Sequence, residues 1–241
     1  ALSRIARTYA NMGRPHDAQN YIDEAASVCS AVSDKKVLAD AAEAQGEAHF
    51  WSGNITDAIA SFTRARKLAS EAEDREGEGL ATMMLSQTTD DPQQANQLAW
   101  AALDGFFESG NAYSAARAHL KLGYFASAAG DFEVARCHCE SALPVFQRIA
   151  DKDNSAIALN ILGLIARQSG DIEESLKYYR RARNDFASVP DDLGEVGSVT
   201  AIADILLSQL KYGDLEQLYA RKLHLAQETS NHSFLASALL D

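Results

Sequence analysis

Gly170-Asp171-Ile172-Glu173-Glu174-Ser175 recurs with few changes as Gly130-Asp131-Phe132-Glu133-Val134-Ala135, Gly53-Asn54-Ile55-Thr56-Asp57-Ala58 and Gly13-Arg14-Pro15-His16-Asp17-Ala18. The copies start 40, 77 and 40 residues apart, and the 77 divides into 37 and 40 once a degenerate copy, Asp90-Asp91-Pro92-Gln93-Gln94-Ala95, is counted. Each lies between two apolar runs of helical period. Self-similarity at a period of roughly 20 to 50 residues marks a stacked-repeat architecture. The six residues have the chemistry of a helix-helix turn. The Gly ends one helix in a left-handed conformation, the Asp or Asn caps the next, and the small sixth residue lets the two helices approach closely.

Working outward from these turns, Leu2, Ile5, Ala6 and Tyr9 form one apolar helix stripe that stops at Gly13. Pro15 is tolerated in the first turn of the next helix, which the pattern carries to about Ser30 with Ala18, Ile22, Ala25 and Ala26 inward. The second hairpin repeats this with Ala42, Gln45, Gly46 and Phe50, then Ala58, Phe62 and Ala65. The third is weaker: Met83, Met84 and Leu85 lead to Asp91, which caps a helix begun by Pro92 and continued by Ala95, Ala99 and Ala102. The fourth and fifth carry Leu122-Gly123, Ala126, Ala135 and Ala142, and Leu162-Gly163, Ala166, Tyr179 and Ala182. A sixth keeps Ile202-Ala203, Leu206, Leu210, Leu215 and Tyr219, with its Gly213-Asp214 displaced by three residues. The repeats are expected at 1–32, 33–72, 73–109, 110–150, 151–188 and 189–229, with a partial one at 230–241, all in a single domain, 1–241. The third repeat and the sixth turn are the expected places of greatest deformability.

Composition agrees. A chain of 241 residues is long for one compact core, but an array in which each unit packs only on its neighbours has no such limit. Apolar residues make up 46%, with only four prolines, as an all-α protein requires. The 34 acidic against 22 basic residues, net −12, repel phosphate backbones, which argues against general nucleic-acid binding and favours a basic or mixed partner. No apolar run approaches the ~18 residues of a membrane span and no signal peptide opens the chain, so the expected location is the cytoplasm, without membrane association. The chain begins with Ala inside an apparent helix, as a fragment of a longer protein would. It closes on Phe234, Leu235, Leu239 and Leu240, which predicts further repeats or a self-association surface. Three cysteines, Cys29, Cys137 and Cys139, make no disulfide framework and fit reduced thiols.

No residue constellation calls for catalysis, a metal or a cofactor. Cys137-His138-Cys139 resembles a metal motif, but on a helix the two thiols point about 200° apart, and Cys139 falls in the inward slot held by Phe62 and Tyr179 elsewhere. Gly77-Glu78-Gly79 follows no strand and precedes no Lys-Ser/Thr, so it reads as a flexible inter-repeat junction. Glu173-Glu174 and Asp23-Glu24 complement helix dipoles. The basic run Lys177, Arg180, Arg181 and Arg183 reads as a solvated outer face.

With these residues laid out, the chain resembles the tetratricopeptide repeat family, in a variety of 40-residue period. The pattern of a Leu-Gly pair, a small residue three later, a turn Gly, then Ala, an aromatic and Ala is met at Leu162-Gly163, Ala166, Gly170, Ser175, Tyr179 and Ala182, and at Leu122-Gly123, Ala126, Gly130, Ala135, Cys139 and Ala142. The expected Trp is replaced by Ala42, His119 and Leu159, and the closing Pro is missing. HEAT and armadillo arrays have a comparable period but lack the recurrent Gly-Asp/Asn turn followed by Ala. The resemblance implies an all-α, right-handed α-α superhelix of about six hairpins plus a terminal helix. It further implies a non-catalytic scaffold, similar to the repeats that accompany CHAT protease or NTPase domains in large bacterial signalling proteins.

In that family the first helices of the hairpins line a concave groove. Carried across register by register, the groove positions are Arg7, Asn11, Glu43, Glu47, Phe50, Trp51, Met84, Gln87, Lys121, Tyr124, Asn160, Leu164, Arg167 and Asp204, with Leu207 beside the last. Aromatic anchors among paired donors and acceptors suit an extended or helical peptide, which another domain of the same parent chain could also supply. The competing expectation is a spacer or oligomerisation arm whose groove holds nothing.

Overall fold

The computed structural model describes residues 2–11, 15–29, 33–188, 192–209 and 220–224. Eleven helices run through them: α1 (Leu2–Asn11), α2 (Pro15–Cys29), α3 (Lys35–Trp51), α4 (Ile55–Glu71), α5 (Arg75–Thr88), α6 (Pro92–Ser109), α7 (Ala112–Ala128), α8 (Phe132–Arg148), α9 (Lys152–Gln168), α10 (Ile172–Phe186) and α11 (Asp192–Ser208), with a short helical stretch at 220–224. No strand occurs among the described residues. The fold class is the expected one, an all-α solenoid of helix hairpins, divided into two compact units, Ala1–Ala118 and His119–Asp241.

The turns form as their residues dictate. Gly53, Gly130 and Gly170 have φ of 79°, 82° and 81°, and the carboxylates that follow Gly130 and Gly170 cap the next helix. Asp131 Oδ1 accepts from the Val134 amide at 3.4 Å and Asp171 Oδ1 from the Glu174 amide at 3.0 Å. The expected cap of the third hairpin holds too, since the Gln93 amide donates to Asp91 Oδ1 at 2.9 Å and Pro92 starts α6. The junctions between hairpins use the same left-handed turn without always using Gly. Gly110 has φ 70°, but Glu73 and Ala150 occupy the equivalent places at 55° and 58°.

Hairpin packing follows one rule. The twelfth residue of α3, α7 and α9 is a glycine, and the eighth of α4, α8 and α10 is the large or polarisable side chain set against it. A Cβ on Gly46 would stand 2.5 Å from the Phe62 ring, one on Gly123 2.8 Å from Cys139 Sγ, and one on Gly163 3.0 Å from the Tyr179 ring. Ser175, fully buried, donates to the Gly163 carbonyl at 2.8 Å and ties the two helices together beside that contact.

The third hairpin breaks the rule. Its equivalent positions hold Ser86 and Ala99, both buried, and the close approach moves to the opposite end of the pair, where a Cβ on Gly79 would stand 2.7 Å from the Phe106 ring. The flexible junction expected at Gly77–Gly79 is therefore the first turns of α5, with Gly79 buried against α6 and the Gly77 amide donating to Asp74 at 3.2 Å. In the sixth repeat, Val199, Ile202, Ala203, Ile205 and Leu206 of α11 pack on Leu176 and Tyr179 of α10. Glu195, 4% exposed, pairs with Arg221, whose Nε donates to Oε1 at 2.9 Å. Leu210, Leu215, Tyr219 and the Gly213-Asp214 turn lie outside the described residues, as do Phe234, Leu235, Leu239 and the terminal helix.

Candidate partner-binding face

Within the first unit, the groove positions read from the sequence fall on α1, α3 and α5. Arg7 and Asn11 lie on α1, and their side chains lie outside the described residues. Glu43 and Glu47, one turn apart on α3, join Leu80, Met83 and Met84 of α5, Phe106 of α6, and Ser114 and Arg117 of α7 around a single recess. Its volume open to a water-sized sphere is about 20 Å³. That admits about one water and falls far below the roughly 300 Å³ at which small-molecule pockets begin, so the recess is a notch for part of a side chain. Its lining is mixed, two carboxylates and a guanidinium around two thioethers.

Phe50 and Trp51 close α3. Phe50 is half-buried on the cluster of Ala58, Phe62, Met84 and Leu85, while Trp51 is 56% exposed and meets Phe50 edge-on at 5.5 Å. Met84 is buried, and the Gln87 amide nitrogen lies 3.5 Å from its sulfur.

Within the second unit the expected positions are brought together directly. Asn160 Oδ1 of α9 accepts from Ser198 Oγ of α11 at 2.9 Å, and Arg167 Nη1 of α9 stands 3.8 Å from Asp204 Oδ2 of α11. These side chains, one repeat apart, share one face. Leu164 lies half-buried between them in sequence, and Leu207 is 45% exposed. On α7, the Lys121 ammonium sits 5.4 Å from the Tyr124 ring centre and 5.1 Å from that of Phe125. Burial lowers the Lys121 pKa, and the rings stabilise the cation that remains. Tyr124 is 55% exposed.

Sequence reasoning missed the contributions of Leu80, Met83, Ser114, Arg117 and Ser198. It also missed a histidine pair. His119 Nδ1 and His138 Nδ1 are 2.9 Å apart, joining α7 to α8, and burial lowers the pKa of each, with the neighbouring His119 a second cause at His138. One signal was available, since His119 stands in the slot where the repeat pattern puts Trp. Cys137 is exposed and Cys139 buried, as two side chains about 200° apart on α8 must be, and no cluster of three or more metal-binding side chains occurs among the described residues. No helix among them is long and apolar enough to cross a membrane.

Two family profiles, both described as Tetratricopeptide repeat, match residues 3–73 and 114–187. No curated protein matches the chain. Among solved structures, the apo form of RapI superposes with a TM-score of 0.69 at 16% identity, covering 98% of this chain and 93% of that one. The signal transduction ATPase (STAND) protein with a tetratricopeptide repeat sensor from Pyrococcus horikoshii gives 0.75 at 15% identity, with 98% of this chain covering 38% of that one. NprR in complex with its cognate peptide NprX gives 0.69 at 16%, with 99% and 72% covered. At these identities the likeness is one of fold.

Proposed function

Because the chain belongs to the tetratricopeptide repeat family, we propose that it is a non-catalytic interaction scaffold, working as one repeat domain, that takes up a peptide or an extended partner segment on the faces of its first helices. The observation that carries this is the recess where Glu43, Glu47, Met83, Met84 and Arg117 of three successive first helices converge, with Trp51 exposed at the end of α3. A notch of that size and mixed polarity suits one anchoring side chain of a longer segment, and the exposed Trp51 and Tyr124 supply flat apolar contact. The remaining groove positions, from Arg7 and Asn11 to Asp204, extend the same reading. The complex of NprR with its peptide supports it by analogy of fold.

The likeness to the repeat sensor of a STAND ATPase supports the finer reading of a regulatory segment attached to an NTPase domain of a signalling protein, whereas a CHAT attachment, a bacterial parent and a cytoplasmic location rest on the reading of the sequence alone. Self-association through Phe234, Leu235 and Leu239 is the second reading, motivated by the apolar run at 234–240. Light scattering that finds the same mass for the wild type and Leu239→Glu would remove it.

The groove is tested by selecting peptides on immobilised 1–241 from a random library and measuring their affinity by fluorescence anisotropy. Trp51→Ala should weaken the selected peptides by about tenfold or more, as truncation of an aromatic anchor does. Peptides that bind Trp51→Ala and Tyr124→Ala as tightly as the wild type would refute the assignment.

A further inference from the structure

On the premise that the first-helix faces bind a partner segment, we propose that the recess between α3, α5 and α7 is a lysine site, which takes the ammonium group of one lysine of that segment. Every residue that lines it belongs to the first unit.

Charge selects the sign of the occupant. Three ionic groups line the recess, Glu43 and Glu47 of α3 and Arg117 of α7, which leaves one negative charge in excess. A cationic side chain cancels that excess, a neutral one leaves it, and an anionic one doubles it. The chain as a whole, net −12, has the same preference.

Size selects the ammonium. The open volume of about 20 Å³ holds about one water. A lysine ammonium is a compact charge with three donors, whereas the planar fork of an arginine is too broad to enter.

The acceptors match in number. The two carboxylates supply two, and Ser114 of α7, only 4% exposed, supplies the third. The Ser114 backbone amide donates to Asn111 Oδ1 at 2.9 Å, but its hydroxyl makes no hydrogen bond to any described residue. A buried hydroxyl at the wall of a recess draws its partner from whatever fills that recess.

The remaining walls suit the rest of the segment. Leu80, Met83, Met84 and Phe106 form an apolar lining for the methylene stem of lysine, and thioethers adapt to such a stem. Arg117 is half-buried and has no ion-pair or hydrogen-bond partner among the described residues. Its donors are available to a backbone carbonyl of the segment, a neutral acceptor that keeps the charges balanced.

The test compares peptides selected from a random dodecamer phage library on wild-type 1–241 and on Glu43→Gln/Glu47→Gln, whose amides keep the shape of the carboxylates and remove both charges. Wild-type selections should concentrate lysine at one position of a shared alignment, and selections on the double variant should not. In synthetic copies of the best wild-type binder, exchange of that lysine for norleucine or for arginine should cost about tenfold or more in affinity by fluorescence anisotropy. The double variant should lose about as much for the lysine peptide and less than about twofold for the norleucine peptide. Glu47→Gln alone should shift affinity in the same direction if the double variant proves unstable. Lysine-free binders, arginine exchanged without loss, or a norleucine cost equal in wild type and variant would each overturn the lysine site. If such binders still weaken on Trp51→Ala, the groove itself stands; binders indifferent to both, or no binders, would overturn the two together.

Discussion

Replacing a helical glycine by alanine should have opposite signs at two positions of this chain. At Gly197, within α11, a Cβ meets nothing within 4 Å, so Gly197→Ala gains only the difference in helix propensity, about 0.8–1 kcal/mol. At Gly46 the same Cβ stands 2.5 and 2.6 Å from two ring carbons of Phe62, which is fully buried. Overpacking of that kind costs about 1–3 kcal/mol, which offsets or exceeds the propensity gain, and Gly46→Ala should be destabilised by up to about 2 kcal/mol. Gly163, with the Tyr179 ring at 3.0 Å, is intermediate, since a shift of a few tenths of an ångström relieves the contact. Unfolding followed by circular dichroism should therefore order the variants Gly197→Ala, Gly163→Ala, Gly46→Ala from most to least stable. Each kcal/mol moves Tm by about 2–4 °C in a chain of this size. If Gly46→Ala melted at or above Gly197→Ala, the claim that close helix approach selects glycine in these repeats would be wrong.

Other expectations follow from the buried and strained groups. Burial pushes the Cys139 thiol up to about 12, so at pH 8 iodoacetamide should modify exposed Cys137 in the native protein and reach Cys139 only on unfolding, as peptide mass spectrometry would show. His119 and His138 have folded-state pKa values below the unfolded one, so the unfolded chain binds more protons in that window. Their contribution is complete above about pH 6.5 and is lost as pH falls through it; the drop in urea midpoint from pH 7.5 to 5.5 should shrink in His119→Leu/His138→Leu. Ala150 sits at φ 58°, and Ala150→Gly should raise the melting temperature slightly, because relief of roughly 1–2 kcal/mol of left-handed strain outweighs the added freedom of the unfolded chain.

What could be read from the sequence was what neighbouring residues decide among themselves. A Gly and an Asp side by side set a left-handed residue and a cap within one turn, and Ser175 follows at the closest point of the hairpin. Those features are as expected at Gly130 and Gly170. The left-handed Glu73 and Ala150 were not legible, because non-glycine residues seldom occupy that region and the junctions carry no Gly to announce it. Nor was the Gly79–Phe106 contact. The repeat register pointed to Ser86 and Ala99, and only the assembled pair of helices shows that the bulky residue has moved to the other end.

The candidate site divides the same way. Register put Glu43, Glu47, Met84, Arg167 and Asp204 on first helices, and the structure adds that the first three share a recess and that the last two face each other. Register could not show that Met84 is mostly buried or that Asn160 is held by Ser198, since both depend on how one repeat is offset against the next. The histidine pair escaped because its members belong to different helices of a hairpin, and neither has the spacing of a known motif.

The displaced contact of the third hairpin bears on recombination. Repeat arrays lend themselves to the exchange of one unit for another wherever facing helices use one complementary code, and α3/α4 and α9/α10 do. If α6 were joined to α3 in a chimera, Ala99 would face Gly46 across the space that Phe62 fills, and Phe106 would be driven against Ala39. An empty phenylalanine site alone costs about 3–5 kcal/mol. The third hairpin must therefore be inherited or transplanted as a matched pair of helices, and a crossover in the loop between α5 and α6 would leave both products mismatched.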